Sequence, residues 1–259
     1  MHVTRWGDTG PRVVMIHGGA QGAQASGGAN FQAQQPLAAE GWQLIVPDRP
    51  GHGQSPDPGR PDDAALDGAL MLDLLGDGAH LVGHSFGSCV ALYAAAQRPA
   101  SVRSLTFIEP AFLNVASGDP RVRRMLIRVV VAQLFATSAA SRARRVMTVL
   151  GIPPAMYADA DEAQMKRLGH SLRRVRIPPK ATVLRQLETI KAAGIPLLIV
   201  TCGWSPGFTA VGDMTAAIAN GRHVVVSSPH HFPQWNGAAF NPVLTAFLRD
   251  AEAKASPPR

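Results

Sequence analysis

Residues 81–92 read LVGHSFGSCVAL. An apolar run enters a Gly, a Ser follows two positions later, a second Gly two after that, and small residues then take over. Gly83-His84-Ser85-Phe86-Gly87 is thus a G-x-S-x-G pattern set between a strand-like run and a helix-like one. In that setting it predicts a sharp strand-to-helix turn that lifts one hydroxyl clear of a sheet edge. The glycines let neighbouring backbone come close without a Cβ in the way. Amide N–H groups at the start of the following helix would face a developing negative charge. Ser85 is therefore the candidate nucleophile.

Similar short apolar runs recur on both sides: VVMIH (13–17), LIVPD (44–48), VRSLTFIE (102–109), PLLIVTC (196–202) and HVVVSS (223–228). Runs this short and this rich in Val, Ile and Leu suit strands buried on both faces. Helical stretches at 34–40, 62–76, 87–98, 208–220 and 238–249 lie among them. The alternation predicts a doubly wound, mostly parallel α/β sheet with helices on both faces. Residues 111–195 break the rhythm, offering no strand and four helical candidates at 119–135, 138–150, 160–174 and 180–193. Pro pairs at 153–154 and 178–179 separate them. The expected division is core (1–110), inserted helical cap (111–195) and core again (196–259). GGAQGAQASGGA (18–29) is read as a loop too Gly-rich for helix or strand, and the tail AKASPPR (253–259) as frayed.

The chain has 259 residues, 46% hydrophobic and 17% charged, a normal globular mix with ample material for a core. No run approaches a membrane span, and MHVTRWGDTG lacks a signal-peptide layout, so a cytoplasmic location is expected. Cys89 and Cys202 sit in apolar stretches and read as buried free thiols. The formal charge is +7, but residues 111–195 alone carry 15 Lys+Arg against 5 Asp+Glu. That excess suits an anionic substrate, a membrane surface or plain solvated helix faces. No nucleic-acid module and no Lys/Arg–aromatic interleaving accompany it.

These motifs together resemble the α/β-hydrolase family over essentially the whole chain. The elbow is GHSFG. His17-Gly18-Gly19 after a strand is similar to the family's oxyanion loop, which implies the N–H of Gly19 as one oxyanion donor and that of Phe86 as the other. Asp48-Arg49-Pro50-Gly51-His52-Gly53-Gln54-Ser55 resembles the family's D-x-x-G-x-G-x-S turn, implying structural roles for Asp48 and His52. A Ser hydroxyl needs a base, and the base needs an acid. The family's catalytic His follows the last strand, which here points to His231 in SSPHHFPQW (227–235), with His230 the residue a register slip would substitute. The family's usual acid position, three residues after Gly203, is Pro206. Some α/β-hydrolases, certain haloalkane dehalogenases among them, place the acid after the strand that follows the elbow helix. That implies Glu109; Asp213 and a triad without an acid stay open.

Ser rather than Asp at the elbow implies acyl chemistry on an ester, lactone or thioester through an acyl-enzyme. The same triad would also serve acyl transfer or cofactor-free perhydrolysis, and a non-catalytic binding relative stays open. No metal or cofactor is called for, since no Cys/His/Asp cluster has ligand spacing and the Gly-rich loop lacks a Gly-Lys-Ser/Thr ending. The expected partner is a small, largely apolar acyl substrate. Gly18, His84, Phe112, Trp204, Phe208 and Phe232 are the candidate substrate-binding residues, although His84 is also expected to pack away from the reacting group. Cap side chains such as Leu134, Phe135, Met147, Leu150 and Met156 are further candidates for an apolar pocket.

Overall fold

Seven strands form one sheet in the computed structural model, which describes residues 1–23 and 25–255. They are β1 (Val3–Trp6), β2 (Arg12–Ile16), β3 (Gln43–Pro47), β4 (Ala79–His84), β5 (Val102–Ile108), β6 (Leu197–Thr201) and β7 (Arg222–Val225). Their order is β1-β3-β2-β4-β5-β6-β7. Every pairing is parallel except that of β1 with β3. Six strands fall on the apolar runs read from the sequence. The seventh, β1, is a four-residue antiparallel edge strand of half-buried residues without an apolar run to announce it.

The helices are α1 (Gly27–Asn30), α2 (Ala64–Met71), α3 (Phe86–Gln97), α4 (Pro120–Leu134), α5 (Ala139–Val149), α6 (Glu162–Arg174), α7 (Lys180–Ala192), α8 (Pro206–Ala219) and α9 (Gly237–Ala255). Side chains alternate across each strand, so each face of the sheet carries its own core. Val14, Ile16, Leu81 and Phe107 pack with residues of α2, α3, α7 and α8. Val13, Met15, Val82 and Ile108 pack with Phe240, Leu244 and Leu248 of α9. That two-sided burial is why β4 is buried at all six positions.

Four helices, α4 to α7, lie between β5 and β6. The N-caps explain where three of them start: Asp119 accepts from the N–H of Arg121, Ser138 from Ser141, and Asp161 forms a capping box with Gln164. α5 and α6 form their own small core, Ala140, Ala143, Met147, Met165 and Leu168, which closes on Ala20 of the loop after β2. By contrast, α7 buries Val183, Leu187 and Ile190 in the core of the sheet. One expectation is overturned at the end of the Gly-rich loop. Residues 27–30 form a single helical turn, because the Ser26 hydroxyl caps the N–H of Ala29. At the other terminus α9 runs through Ala255 where fraying was expected from 253; residues 256–259 of that tail lie outside the described residues.

Candidate active site

The elbow after β4 is built by close approach. Ser85 has φ 52° and ψ −119°, a strained backbone for a residue with a side chain. Hydrogen bonds hold it there: its N–H donates to the carbonyl of Ile108 at 2.8 Å, and its carbonyl accepts from the N–H of Ala111 at 3.2 Å. A Cβ on Gly87 would collide with the carbonyl oxygen of Ile16 on β2, so only glycine lets α3 pass that close to the sheet.

Two strand ends and one loop then converge on Ser85. His231 Nε2 lies 2.9 Å from Ser85 Oγ, and its Nδ1 lies 3.1 Å from Glu109 Oε2. An ionised carboxylate only accepts, so Nδ1 carries the proton and the Nε2 lone pair receives the Ser85 hydroxyl. His231 is held from behind by its N–H bond to the Gly151 carbonyl at 3.1 Å and by the Phe208 ring, centred 4.7 Å away. His230 points elsewhere: its Nδ1 lies 3.1 Å from the Ser228 hydroxyl and its ring packs against Trp235.

Glu109 follows β5 with φ 45°, the second side-chain-bearing residue near the site in the left-handed region. Its carboxylate is fully buried, yet satisfied. Oε1 accepts from the Cys202 N–H at 3.0 Å, and Oε2 accepts from Trp204 Nε1 at 3.1 Å and from His231. Neutral donors and one imidazole thus replace the cation that a buried carboxylate otherwise needs. Asp213, the alternative acid, sits on α8 beside His223, 2.8 Å from its Nδ1, with its side chain 54% exposed.

The loop after β2 is pinned by its carbonyls. His17 Nδ1 donates to the Gly18 carbonyl at 2.7 Å, while Arg49 reaches the Gly19 carbonyl at 2.8 Å and the His17 carbonyl at 3.0 Å. In a trans peptide the N–H points opposite to the carbonyl. Fixing the Gly18 carbonyl therefore turns the Gly19 N–H away from His17. Burial first, and Arg49 second, hold the His17 pKa well below its ordinary value, consistent with the neutral ring whose Nε2 accepts from the Arg49 N–H at 3.0 Å. The Phe86 N–H lies in the first turn of α3, where backbone donors lack helical partners.

Arg49 itself is fully buried between Asp62 at 2.7 Å and Asp67 at 3.0 Å. Burial works to raise the Asp62 pKa, but the His52 hydrogen bond and the Arg49 charge outweigh it and leave the group below the usual carboxylate range. Asp48 accepts from the N–H groups of Gly27 at 2.7 Å and Gln54 at 2.8 Å, which ties the second loop together. The sequence reading missed this ionic cluster. Its signal was present in an Arg two residues after the buried LIVP run, with acidic residues at 62 and 67.

A cavity of roughly 200 Å³ opens onto Ser85, His231, Gly18, Gly19 and Phe86. Its far walls come from α5, α6 and the segment between them, through side chains such as Met147, Leu150, Met156, Met165 and Leu168. Among the described residues, no Asp, Glu, Lys or Arg borders it. Phe232 and His84 border it as well; His84 also packs beneath His231, donating Nε2–H to its carbonyl at 2.9 Å. Burial foremost, then the neighbouring His231, keep the His84 pKa well below its ordinary value.

Three expected pocket residues lie behind the site. Phe112 is in the core against the Phe107 ring, Trp204 is spent on Glu109, and Phe208 backs His231. Leu134 and Phe135, further candidates, are exposed at the C-terminal end of α4. Among the described residues no cluster of three or more His, Cys, Asp or Glu could hold a metal ion, and no helix is long and apolar enough to cross a membrane.

Comparison with known proteins agrees with this architecture. A family model described as alpha/beta hydrolase fold matches residues 11–238. The chain is 36% identical over 169 residues to "Lipase LipV" of Mycobacterium tuberculosis, covering 62% of this chain and 61% of that lipase. It thus spans under two thirds of that relative's length. It is 27% identical over 259 residues to a 2-hydroxy-6-oxo-6-phenylhexa-2,4-dienoate hydrolase of Burkholderia cepacia, covering 92% and 88%. Among solved structures, the Rhodococcus enzyme of that same name superposes with a TM-score of 0.68 at 18% identity, covering 96% of this chain and 94% of that one.

Proposed function

Because this chain belongs to the α/β-hydrolase family, we propose that it is a serine hydrolase that cleaves an uncharged carboxylic ester or lactone, or a thioester, through an acyl-enzyme. One observation carries the reading: an unbroken hydrogen-bond chain, Ser85–His231–Glu109, at the wall of a cavity without charged side chains.

The reaction follows from the donor and acceptor assignments. His231 Nε2 takes the proton of Ser85 as Oγ attacks the substrate carbonyl carbon. The carbonyl oxygen becomes an oxyanion, received by the N–H groups of Gly19 and Phe86. Glu109 stabilises the imidazolium through the Nδ1 hydrogen bond and keeps its proton on Nδ1 throughout. His231 then gives the Nε2 proton to the leaving oxygen or sulfur, and the acyl group stays on Ser85. Water, deprotonated by the same Nε2, attacks the acyl carbon; the Ser85 Oγ–acyl bond breaks, and the Nε2 proton returns to Oγ as the carboxylic acid leaves.

α5 and α6, with the segment between them, act as the cap that defines the acyl site. A dienoate, the substrate type in the name of one relative, carries a carboxylate, and among the described residues the cavity offers no Lys or Arg to pair with it. Burying an unpaired carboxylate is costly, which favours a neutral substrate. The test is pre-steady-state hydrolysis of a p-nitrophenyl ester series from acetate to decanoate. The expected result is a burst of one equivalent of p-nitrophenol followed by slower turnover, with a preference for medium acyl chains. Absence of turnover on esters, lactones and thioesters alike, by a protein with a normal melting transition, would overturn the reading. Capture of the acyl group by added alcohol faster than by water would redirect it to acyl transfer.

A further inference from the structure

We propose that α4 and the adjoining face of α5 form a docking surface for an anionic lipid membrane. The surface plays no part in the hydrolytic site. Ile127, Val130, Val131, Leu134 and Phe135 are 62%, 52%, 44%, 74% and 68% exposed. At about 100° per residue the first four fall within one arc of roughly 100°. The opposite side of α4 is already used, with Val122, Met125 and Ala132 buried towards the protein. Large apolar side chains exposed in a contiguous group mark an interaction surface rather than ordinary scatter.

The charge around this face chooses the occupant. Residues 120–158 contain seven arginines and no Asp or Glu. Arg123, Arg124 and Arg128 are exposed on α4 itself. Arg128 and Arg145 border a shallow groove between α4 and α5, floored by Ile127, Val131 and Val149. Among the described residues Arg123, Arg124, Arg128 and Arg145 form no ion pair, whereas Arg121 is engaged by Asp119 and Arg144 by Glu162. Apolar side chains ringed by unpaired arginines are the layout of an interfacial helix, its apolar edge among acyl chains and its guanidinium groups at anionic headgroups. A second copy of this chain fits poorly. Two-fold pairing through this face would set arginines against arginines with no carboxylate between them. α5 joins this surface to the site: Arg145 and Val149 face the groove, while Met147 and Leu150 border the cavity.

The test is flotation of the whole protein with vesicles of phosphatidylcholine alone or with about one third phosphatidylglycerol, at low and high salt. We expect binding to the anionic vesicles only, reversed by salt. Replacing Arg124, Arg128 and Arg145 with Gln should lower partitioning about 100-fold, at about tenfold or less per charge near an anionic surface. Leu134→Gln with Ile127→Gln should also release the protein. All of these variants should hydrolyse a short soluble ester like the parent. Equal binding to both vesicle types, no binding to either, or binding unmoved by salt and by the triple change would each overturn the proposal. So would a wild-type dimer in light scattering that Leu134→Gln turns into a monomer, because the occupant would then be a second copy.

Discussion

The ends of β5 and β6 lie side by side on the sheet edge that carries Ser85, and they have divided one task differently from what their sequences first suggest. The end of β6 reads Cys202-Gly203-Trp204-Ser205-Pro206, the position where an acid is usual in this family. It holds no acid; Pro206 opens α8 there instead. The end of β5 carries Glu109. β6 nevertheless takes part, supplying the Cys202 N–H and the Trp204 indole N–H that hold the Glu109 carboxylate. One strand end offers the charge and its neighbour offers the donors. Under the proposed function, the acid is set by its place beside His231 and by the donors that β6 brings to it.

Breaking the charge should cost most. Glu109→Gln leaves the shape intact but puts an amide against His231 Nδ1, favouring the wrong tautomer. A loss in kcat of about 10³–10⁴-fold is expected from steady-state kinetics, and a variant within tenfold of wild type would remove Glu109 from the triad. Breaking a donor should cost less. Trp204→Phe deletes one of three hydrogen bonds to a charged group, and hydrogen bonds of that kind contribute about 1.5–3 kcal/mol. A fall in kcat of about tenfold, with KM little changed, is the expected outcome, and an unchanged kcat would show that β6 holds the acid without tuning it.

Acid should weaken the fold before it reaches the carboxylates. His17 and His84 are buried and neutral, and burial brings the His80 pKa down to about 4. Below about pH 6.5 the unfolded chain binds protons on these rings that the folded protein does not. Stability is therefore fully present above about pH 6.5 and falls as pH drops, by up to about 1.4 kcal/mol per unit for each histidine. The His80 contribution stops growing near pH 4. Denaturant midpoints measured at pH 7.5, 6 and 5 should fall in that order, and a flat series would contradict the neutral assignments. The smallest effect is expected at the abandoned candidate. Asp213→Asn touches a pair with His223 whose carboxylate is half-exposed and should change kcat less than twofold.

Much of this architecture was legible. Short Val/Ile/Leu runs alternating with helices read as buried strands, and Gly83 and Gly87 mark the elbow by what they lack. β1 was hidden because VTRW is a half-buried edge strand whose partner is chosen by tertiary pairing with β3. The short helix at 27–30 was hidden among glycines, where one Ser26 cap decides the conformation. The pocket was the least legible part. Phe112, Trp204 and Phe208 have the residue type of a pocket wall, but orientation is set by neighbours distant in sequence, and all three face inward behind the cavity. Arg49 was similarly opaque, since its burial depends on Asp62 and Asp67 meeting it in space.

The most direct measurement is intact mass against time with a fluorophosphonate, on wild type, Ser85→Ala, Glu109→Gln and Asp213→Asn. A single adduct on wild type and Asp213→Asn at similar rates, none on Ser85→Ala and a much slower one on Glu109→Gln would be the signature of a serine activated through the β5 acid. Equal labelling of Glu109→Gln and wild type, or slow labelling of Asp213→Asn alone, would contradict it.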